Sequence, residues 1–545
     1  MQKLLRLELY AVLVGCWVCR ADPATIALRS PSETVEASIR VDAGGGVSYS
    51  VNHKGSVVIE PSPLGITVDG VDLGNGVRAG TAKRGEISET FRVLGVHSVA
   101  TNHCRTLTLP MVREGSATAY QLELRAYDDG FAWRYRIVGA GMRVVNREAS
   151  SWTLPSASRV WYAERNNFWK LKSYAGEWLV ADIDAMPKVS SQGPVQGPPL
   201  VAELPTGLFA VLTEAAVFNY SGLRLRAIGG RRFQADFTEG SQGFKLEGEI
   251  VTPWRVVIIA PNLNGLVNSD LIASLCPPPD EGLFADQSWI KPGRCAWRWW
   301  SLGTGDPDQE RAVVDAAARL GFEYSLVDEG WEAWHDPFEK VRELCAHGRQ
   351  KGVGVFVWKN YSELFNPAED WKEMRSFMAR VKASGAVGVK VDFLNAESLD
   401  RIQFEEAVLR IAAQNRLLVN FHGCRKPGGG ITYLPQRADA RGRPRIGAEQ
   451  NEGGSDHARP QCRAPVYAAG SWGCGLHPGR LLPSGPDNLC APTGDARAVD
   501  LTAAGDRRES RPAAQQHKHS ARTGCVESGA VGLGRNSRVS AEQDR

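Results

Sequence analysis

From about Ile26 to Pro261 the chain alternates apolar and polar positions over short runs, as in Tyr120–Tyr127 and Phe131–Ile137. A period of two places the apolar side chains on one face of a strand. Turn-forming residues separate these runs. We predict a large β-sandwich domain over residues 24–280. The simplest role for such a domain is structural support or contact with a sugar. The turns fall at Asp42-Ala-Gly-Gly-Gly, Asp69-Gly, Asp128-Asp-Gly and Gly229-Gly.

The period changes after Pro277-Pro-Pro. Apolar strand-like runs then recur about every thirty residues, with helical patterns between them. Such repeats predict (β/α) units that assemble into a parallel barrel or a doubly wound sheet. We predict a partial (β/α)8 barrel over residues 286–455, with five of eight units recognisable. The predicted strands are Cys295–Trp299, Tyr324–Val327, Val353–Trp358, Val387–Phe393 and Leu417–Phe421, and the helices are Pro307–Leu320, Pro337–Gln350, Ala368–Ser384 and Ser398–Gln414.

The composition is that of a globular chain in which one segment differs. The 545 residues are 43% hydrophobic, and 64 basic residues nearly balance 61 acidic ones, which disfavours a nucleic-acid partner. Residues 456–545 contain only two aromatic residues, and their twelve basic and nine acidic residues account for the whole formal charge of +3. So few large apolar groups cannot offset the entropy of ordering, and this tail is predicted to be unfolded.

The N-terminus is typical of an export signal. Lys3 and Arg6 precede a mostly apolar run, and residues 1–21 are predicted to be a signal peptide that directs the protein to the periplasm or the medium. Leu13-Val-Gly-Cys16 is similar to a bacterial lipobox, so Cys16 is a candidate lipid anchor. A buried N-terminal strand is the alternative. No other run is apolar and long enough to span a membrane, and the mature chain has no CxxC pair.

Polar and tryptophan residues cluster directly after the predicted strands, where a barrel carries its active site. Indole faces pack on sugar rings, while carboxylates bind hydroxyl groups and perform acid/base chemistry. This favours a carbohydrate pocket, and no phosphate-binding glycine motif supports a nucleotide site. The clusters are Trp297-Arg-Trp-Trp300, Asp328-Glu-Gly-Trp331, Trp358-Lys-Asn-Tyr361, Lys390-Val-Asp-Phe393 and Asn420-Phe-His-Gly423.

Each candidate residue has two interpretations. Asp392 is either a nucleophile at the end of a central strand or a buried carboxylate paired with Lys390, and the first is favoured. Each remaining candidate is either a sugar contact or a structural group. The structural alternatives are helix capping for the acidic residues, core packing for the tryptophans and a hydrogen-bonded strand-end position for the histidine. The predicted substrate-binding residues are Trp299, Asp328, Glu329, Trp331, Lys390 and His422.

Several long motifs in the same order resemble glycoside hydrolase family 97, over about residues 28–433. The resemblance implies an N-terminal β super-sandwich followed by a catalytic (β/α)8 barrel, in exported bacterial α-glycosidases that use calcium. The motifs are Glu60-Pro-Ser-Pro-Leu-Gly65, Tyr127-Asp-Asp-Gly-Phe-Ala-Trp-Arg-Tyr135, Gly193-Pro-Val-Gln-Gly-Pro-Pro-Leu200, Trp289-Ile-Lys-Pro-Gly293, Tyr324-Ser-Leu-Val-Asp-Glu-Gly-Trp331, Gly388-Val-Lys-Val-Asp-Phe393 and Asn420-Phe-His-Gly423.

The resemblance also separates two branches of the family. Inverting members carry a glutamate base after the histidine of the Asn-Phe-His motif, whereas this chain has Gly423. Retaining members use a strand-four aspartate as nucleophile, and Asp392 occupies that position. The resemblance therefore implies a retaining, exo-acting enzyme, most similar to an α-galactosidase, that forms a covalent glycosyl-enzyme.

After Thr432-Tyr433 the chain departs from the family pattern and rejoins it only at Gly447-Ala-Glu-Gln-Asn-Glu452. On that match Glu449 is the expected acid/base residue. The expected Thr-Arg-Glu calcium ligand has no counterpart, which leaves Glu164, or Glu177, as a candidate ligand for Ca²⁺.

The departure suggests a change of reading frame. Read one base later, the possible codons of Pro460–Ala468 and Gly473–Leu481 permit strings similar to the next family motifs, in the right order. We infer frameshifts near Tyr433 and Gly454, so that the tail is out of frame. Made as written, the chain is expected to be a defective enzyme, since an incomplete barrel leaves strand edges unpaired.

Two alternatives to an α-galactosidase stay open. One is an α-glucosidase of the same family, and the other is a non-catalytic carbohydrate-binding relic. The expected partner is an α-galactoside or another oligosaccharide, and the oligomeric state is left open.

Overall fold

A computed structural model gives the three-dimensional structure of the chain. It describes residues 24–93, 98–115, 118–164, 178–186, 188, 195–425, 428 and 437–439. An antiparallel β domain comes first, and a parallel sheet with helices follows it. The predicted fold, a β-sandwich followed by an incomplete (β/α) barrel, is confirmed. The predicted signal peptide (1–21), the tail (456–545) and Glu449 lie outside the described residues.

The β domain contains the first twenty-two strands of the described chain. Eighteen of them are hydrogen-bonded into one antiparallel network, and β20, β12, β5 and β6 form a second sheet in that order. The strands are β1 (Ala24–Arg29), β2 (Val35–Val41), β3 (Val47–His53), β4 (Ser56–Pro63), β5 (Ile66–Val68), β6 (Val71–Asp72), β7 (Val77–Ala79), β8 (Lys83–Arg92), β9 (Val99–Arg113), β10 (Ala119–Tyr127), β11 (Gly130–Ile137), β12 (Met142–Glu148), β13 (Ser151–Thr153), β14 (Arg159–Glu164), β15 (Leu179–Asp182), β16 (Val195–Glu203), β17 (Phe209–Ala215), β18 (Arg224–Ala227), β19 (Arg232–Asp236), β20 (Phe244–Glu247), β21 (Ile250–Val251) and β22 (Trp254–Ala260).

The alternating pattern explains how the β domain packs. In β10 the apolar positions from Tyr120 onward are buried and the polar positions between them are partly exposed. β10 pairs with β11 from Gln121↔Arg136 to Tyr127↔Gly130, across the turn that Asp128-Asp-Gly predicts. The inward faces form one large core that includes the fully buried Trp133 and Trp152.

The β domain also buries an ion triad. Arg255 is completely buried and binds Glu148 through two hydrogen bonds of 2.9 and 2.7 Å and Glu214 through one of 2.8 Å. Sequence patterning gave no sign of this triad, since each residue alone is an ordinary polar position of a strand. Removing one partner of such a group leaves a buried charge uncompensated.

The second part of the chain is a six-stranded parallel sheet in sequential order, β23 to β28, with helices between the strands. Its core lies between sheet and helices and is rich in Val, Leu and Phe. The strands are β23 (Cys295–Trp297), β24 (Tyr324–Val327), β25 (Gly354–Asn360), β26 (Gly388–Asp392), β27 (Leu418–Phe421) and β28 (Arg437–Asp439). The α-helices are α1 (Leu263–Val267), α2 (Leu271–Leu275), α3 (Glu281–Phe284), α4 (Trp299–Leu302), α5 (Pro307–Arg319), α6 (Pro337–Lys351), α7 (Ala368–Ala383) and α8 (Leu399–Gln414), and 3-10 turns occupy Ile183–Ala185, Gly240–Gln242, Trp331–Ala333 and Tyr361–Glu363.

Two predictions about the sheet are corrected. The first strand ends at Trp297 and not at Trp299, because the chain turns into the short helix α4 there. The prediction of five strands was one short: β28 pairs in parallel with β27, from Val419↔Arg437 to Phe421↔Asp439. Three residues are too short for periodicity to reveal a strand.

Helix α5 begins as the sequence predicts. The Asp306 carboxylate accepts a hydrogen bond of 2.8 Å from the Gln309 backbone N–H, and the Gln309 side chain accepts one of 3.1 Å from the Asp306 N–H. This reciprocal cap, with Pro307 at the first helical position, satisfies two backbone donors that would otherwise be free.

The Asp306→Ala variant is therefore expected to lower the free energy of unfolding by about 1 kcal/mol. Urea unfolding followed by circular dichroism measures this change. Asp306→Asn is the matched control, because asparagine caps helices as well as aspartate does. Equal losses in the two variants would contradict a capping role.

The β domain contacts the segment that follows β26. The Glu239 carboxylate accepts hydrogen bonds from the Leu399 backbone N–H (2.8 Å) and the Ser221 hydroxyl (2.7 Å), so it caps helix α8 from the other domain. The Gly222 N–H donates to the Glu397 carbonyl at 2.7 Å. These contacts fix the loop between β26 and α8.

Within the described ranges, none of the helices is both long and apolar enough to cross a membrane.

Candidate active site

Asp392 ends β26 and is the centre of a buried polar cluster. It is 3% exposed. Its Oδ1 accepts hydrogen bonds from His422 Nδ1 (3.0 Å) and the Phe393 backbone N–H (2.7 Å). Its Oδ2 accepts one from Trp358 Nε1 (3.2 Å) and lies 3.2 Å from Lys390 Nζ. Parallel strands bring these residues together, because the carboxyl ends of β25, β26 and β27 meet at one edge of the sheet.

The surroundings of Asp392 keep it ionised. Burial by itself raises a carboxyl pKa, but the hydrogen bond and charge of His422, the Lys390 ammonium and the Trp358 N–H outweigh burial. Together they hold the pKa of Asp392 well below its usual range. At neutral pH the group is thus a carboxylate, the form that a nucleophile requires.

Asp328, at the end of β24, forms the second half of the cluster. Its Oδ2 accepts a hydrogen bond of 2.7 Å from Lys390 Nζ and another from the Trp297 indole N–H. Lys390 is 2% exposed and lies 4.2 Å from the centre of the Trp297 ring. One buried ammonium therefore bridges two carboxylates at the ends of β24 and β26, the strands on either side of β25.

Aromatic rings border the cluster on its exposed side. Trp299 is 38% exposed and stacks on Trp297, with ring centres 5.5 Å apart and an angle of 14° between the planes. Phe393 is 39% exposed, and its ring meets that of Trp358 edge to face. Exposed flat rings beside carboxylates are suited to sugar rings.

Gly423 permits the close approach of two strand ends. Its backbone is left-handed, with φ of 56°, and a Cβ atom would lie 2.9 Å from the Phe393 nitrogen and 3.1 Å from Asp392 Oδ1. A side chain at position 423 would therefore collide with the β26 backbone and intrude on the Asp392 carboxylate.

The structure brings together Asp392, Lys390, Asp328, His422 and, at the rim, Trp299. Glu329 is exposed next to Asp328, to which its backbone N–H donates a hydrogen bond of 2.8 Å. Trp331 lies in the hydrophobic core, 1% exposed, where its indole N–H donates to the Trp358 carbonyl. Its ring faces no solvent, so we do not retain it among the proposed sugar contacts.

Two site residues were missed by sequence reasoning. Trp358 was part of a strand-end motif, but its hydrogen bond to Asp392 depends on the register of β25 against β26, which pairs Asn360 with Asp392. Phe393 was predicted as the last residue of a strand, whereas it has a left-handed backbone with φ of 65°. The left-handed backbone turns the chain directly after Asp392.

The expected calcium ligands are not described. Glu164 ends β14, where its backbone pairs with Gln196, but its side chain is outside the described residues, as is all of Glu177. Among the described side chains no group of three or more acidic, histidine or cysteine residues is arranged to hold a metal. The Asp392 and Asp328 carboxylates are already bound by Lys390. Calcium use stays a prediction.

The sandwich, the parallel half-barrel and the carboxylate cluster at its strand ends define the architecture of a barrel glycosidase. Residues 28–278 match the profile described as Glycosyl-hydrolase 97 N-terminal, and residues 301–439 match that described as Glycoside hydrolase 97. The chain belongs to glycoside hydrolase family 97.

Individual relatives agree with this assignment. A probable retaining alpha-galactosidase of Streptomyces bingchenggensis is 29% identical over 415 residues, which cover 72% of this chain and 61% of the relative. A retaining alpha-galactosidase of Bacteroides thetaiotaomicron is 25% identical over 472 residues, covering 78% and 68%. The crystal structure of a beta-arabinopyranosidase has the same fold, with a TM-score of 0.69, 21% identity and coverage of 76% and 69%. The chain thus spans about three fifths of the first relative.

Proposed function

We propose that this site is that of a retaining, exo-acting α-glycoside hydrolase that acts on α-galactosides, with Asp392 as nucleophile. The observation that carries the proposal is the Asp392 carboxylate, buried and held ionised at a strand end, with the exposed rings of Trp299 and Phe393 beside it. Two relatives named as retaining alpha-galactosidases support the substrate class and the stereochemical outcome.

The chemistry proceeds in two displacements. Asp392 attacks the anomeric carbon, the glycosidic bond breaks, and a proton passes to the departing oxygen, for which Glu449 is the proposed donor. Glu449, now deprotonated, then accepts a proton from a water molecule that attacks the anomeric carbon of the glycosyl-enzyme. The bond between this carbon and Asp392 breaks, and the Asp392 carboxylate is released. Because each displacement inverts the carbon, the sugar keeps its α configuration.

The neighbours of Asp392 have separate roles in this proposal. Trp358 and the Phe393 N–H hold the carboxylate in one orientation, which reduces the entropy of reaching the attacking geometry. Lys390 stabilises the negative charge that returns to Asp392 when the glycosyl-enzyme is hydrolysed. Asp328 and His422 are proposed to bind sugar hydroxyl groups.

The test compares 4-nitrophenyl α-galactoside with the corresponding α-glucoside on the purified chain, and nuclear magnetic resonance follows the anomer released first. An incomplete barrel is expected to make hydrolysis slow, but the hydrolysis that remains is expected to prefer the galactoside and to release α-galactose first. Initial release of the β anomer would contradict retention, and preference for the glucoside would overturn the substrate assignment. Absence of hydrolysis with measurable galactose binding would favour the non-catalytic alternative.

A further inference from the structure

Glu310 is a buried carboxyl group that the mechanism above does not use. It lies in the first turn of α5 and is 2% exposed, and its Oε2 has no hydrogen-bond partner in the described part of the chain. A carboxylate without partners is costly to bury, whereas a neutral carboxylic acid is much less so. The position therefore favours a protonated side chain.

Charged groups from three elements surround Glu310. Burial raises the pKa of Glu310 to about 7; Arg298 opposes the rise, while Asp328, directly after β24, and Asp306, at the start of α5, add to it. Glu310 and Arg298 pack against the same residue: a Cβ atom on Gly305 would lie 2.6 Å from Glu310 Oε1 and 3.1 Å from Arg298 Nε. Glu310 thus lies close to the Arg298 side chain, with which it forms no ion pair in this structure.

Arg298 in turn holds residues 299–305, which are the short helix α4 and the residues directly after it. We call this segment the Trp299 loop, and it carries part of the aromatic wall of the site. Its Nη1 donates hydrogen bonds to the carbonyls of Leu302 (3.0 Å), Gly303 (2.6 Å) and Thr304 (2.7 Å). These residues come shortly after Trp299 in the chain, and Trp299 stacks on Trp297. The guanidinium therefore ties the end of α4 to the barrel rim.

We propose that Glu310 is a positioning residue whose proton decides whether Arg298 holds the Trp299 loop. While Glu310 is neutral, the Arg298 guanidinium stays hydrogen-bonded to the three loop carbonyls and to Gln309 Oε1 (3.2 Å). Once ionised, it competes for Arg298 as a buried partner of opposite charge, and the loop, residues 299–305, is released. The effect on sugar binding rests on the proposed function, because Trp299 is a wall of that site, but the effect on the loop does not.

Hydrogen exchange measured by mass spectrometry tests the proposal without sugar. Between about pH 6 and about pH 8 most of Glu310 passes from neutral to ionised. The exchange rates are first corrected for the intrinsic pH dependence of amide exchange. In the unmodified chain, the corrected rates of residues 299–305 are expected to be severalfold higher at about pH 8 than at about pH 6. In the Glu310→Gln variant the side chain stays neutral, so residues 299–305 are expected to exchange slowly at both pH values.

Two further variants complete the design. Asp308→Asn removes an exposed carboxylate two residues away and is expected to keep the pH response. Arg298→Gln removes the guanidinium and is expected to exchange fast at both pH values, which keeps the test decisive if Glu310→Gln fails to fold. A pH response that persists in Glu310→Gln or in Arg298→Gln, or its absence in the unmodified chain, overturns the proposal.

The outcome is separable from that of the proposed function. Hydrolysis and retention depend on Asp392, whereas loop exchange depends on Glu310 and Arg298. If exchange responds to pH and no galactoside is bound or cleaved, the positioning role stands and the proposed function falls.

Discussion

Replacing Asp392 with alanine is expected to lower the rate of α-galactoside hydrolysis by about 10³-fold or more, which corresponds to about 4 kcal/mol of transition-state stabilisation. The reason is that the first displacement loses its nucleophile, while the remaining groups still bind the sugar. The comparison requires matched kinetics of the unmodified and variant chains with an aryl α-galactoside.

Covalent trapping tests the same residue without depending on Glu449. With 5-fluoro-α-galactosyl fluoride, fluoride leaves without needing a proton, so the unmodified chain is expected to gain one fluorogalactosyl group on the peptide that contains Asp392. Asp392→Ala is expected to gain none. Asp400→Asn, which removes a half-exposed carboxylate eight residues along the chain, is the matched control and is expected to be labelled normally. A label on any other carboxylate would contradict the assignment.

Replacing Lys390 with methionine is expected to lower the free energy of unfolding by about 3–5 kcal/mol, because it leaves two buried carboxylates without their shared cation. Asp328 and Asp392 are both almost fully buried, so water does not replace the lost charge. Chemical denaturation near neutral pH measures the loss.

The matched control is Lys359→Met. Lys359 is also buried, but its partners Glu332 and Glu363 have side chains that are 36% and 51% exposed. Water solvates those carboxylates after the substitution, so the loss is expected to be clearly smaller. Equal losses in the two variants would contradict the role assigned to burial of the carboxylates.

The Lys390→Met variant also has a defined pH dependence. Folding lowers the pKa of Asp392, so this carboxylate stabilises the native state above its unfolded pKa and the contribution is lost as the pH falls through the native pKa. Without Lys390 the native pKa rises towards its usual value. If the variant retains activity, the acid limb of its pH–rate profile is therefore expected to move to higher pH. An unchanged acid limb would contradict the attraction between Lys390 and Asp392.

Sequence patterns predicted the fold well where they are periodic. Strand β24 has the predicted bounds, and helix α5 differs from prediction by one residue at its C-terminal end, because its capping residues Asp306 and Pro307 and a regular apolar stripe fix it locally. The prediction failed where an element is too short to have a period: the helix α4 at Trp299 and the strand β28.

The candidate site was predicted in part. Asp392, Lys390, Asp328 and His422 follow strands, and parallel pairing necessarily brings strand ends together. Trp331 follows a strand as well, yet a 3-10 turn directs it into the core. The apolar pattern predicts that the strand extends to Phe393, whereas the left-handed backbone of Phe393 turns the chain directly after Asp392.

The sequence by itself determined the order of the two folded parts, the family and the short set of residues able to carry the chemistry, since these depend on local pattern and motif. The tertiary structure decided which charges share one buried cation, which tryptophans face solvent, and that Glu310 lies beside Arg298. Those properties depend on distances between separate strands and helices and on the exclusion of water between them. A local stretch of sequence specifies neither the distances nor the exclusion of water.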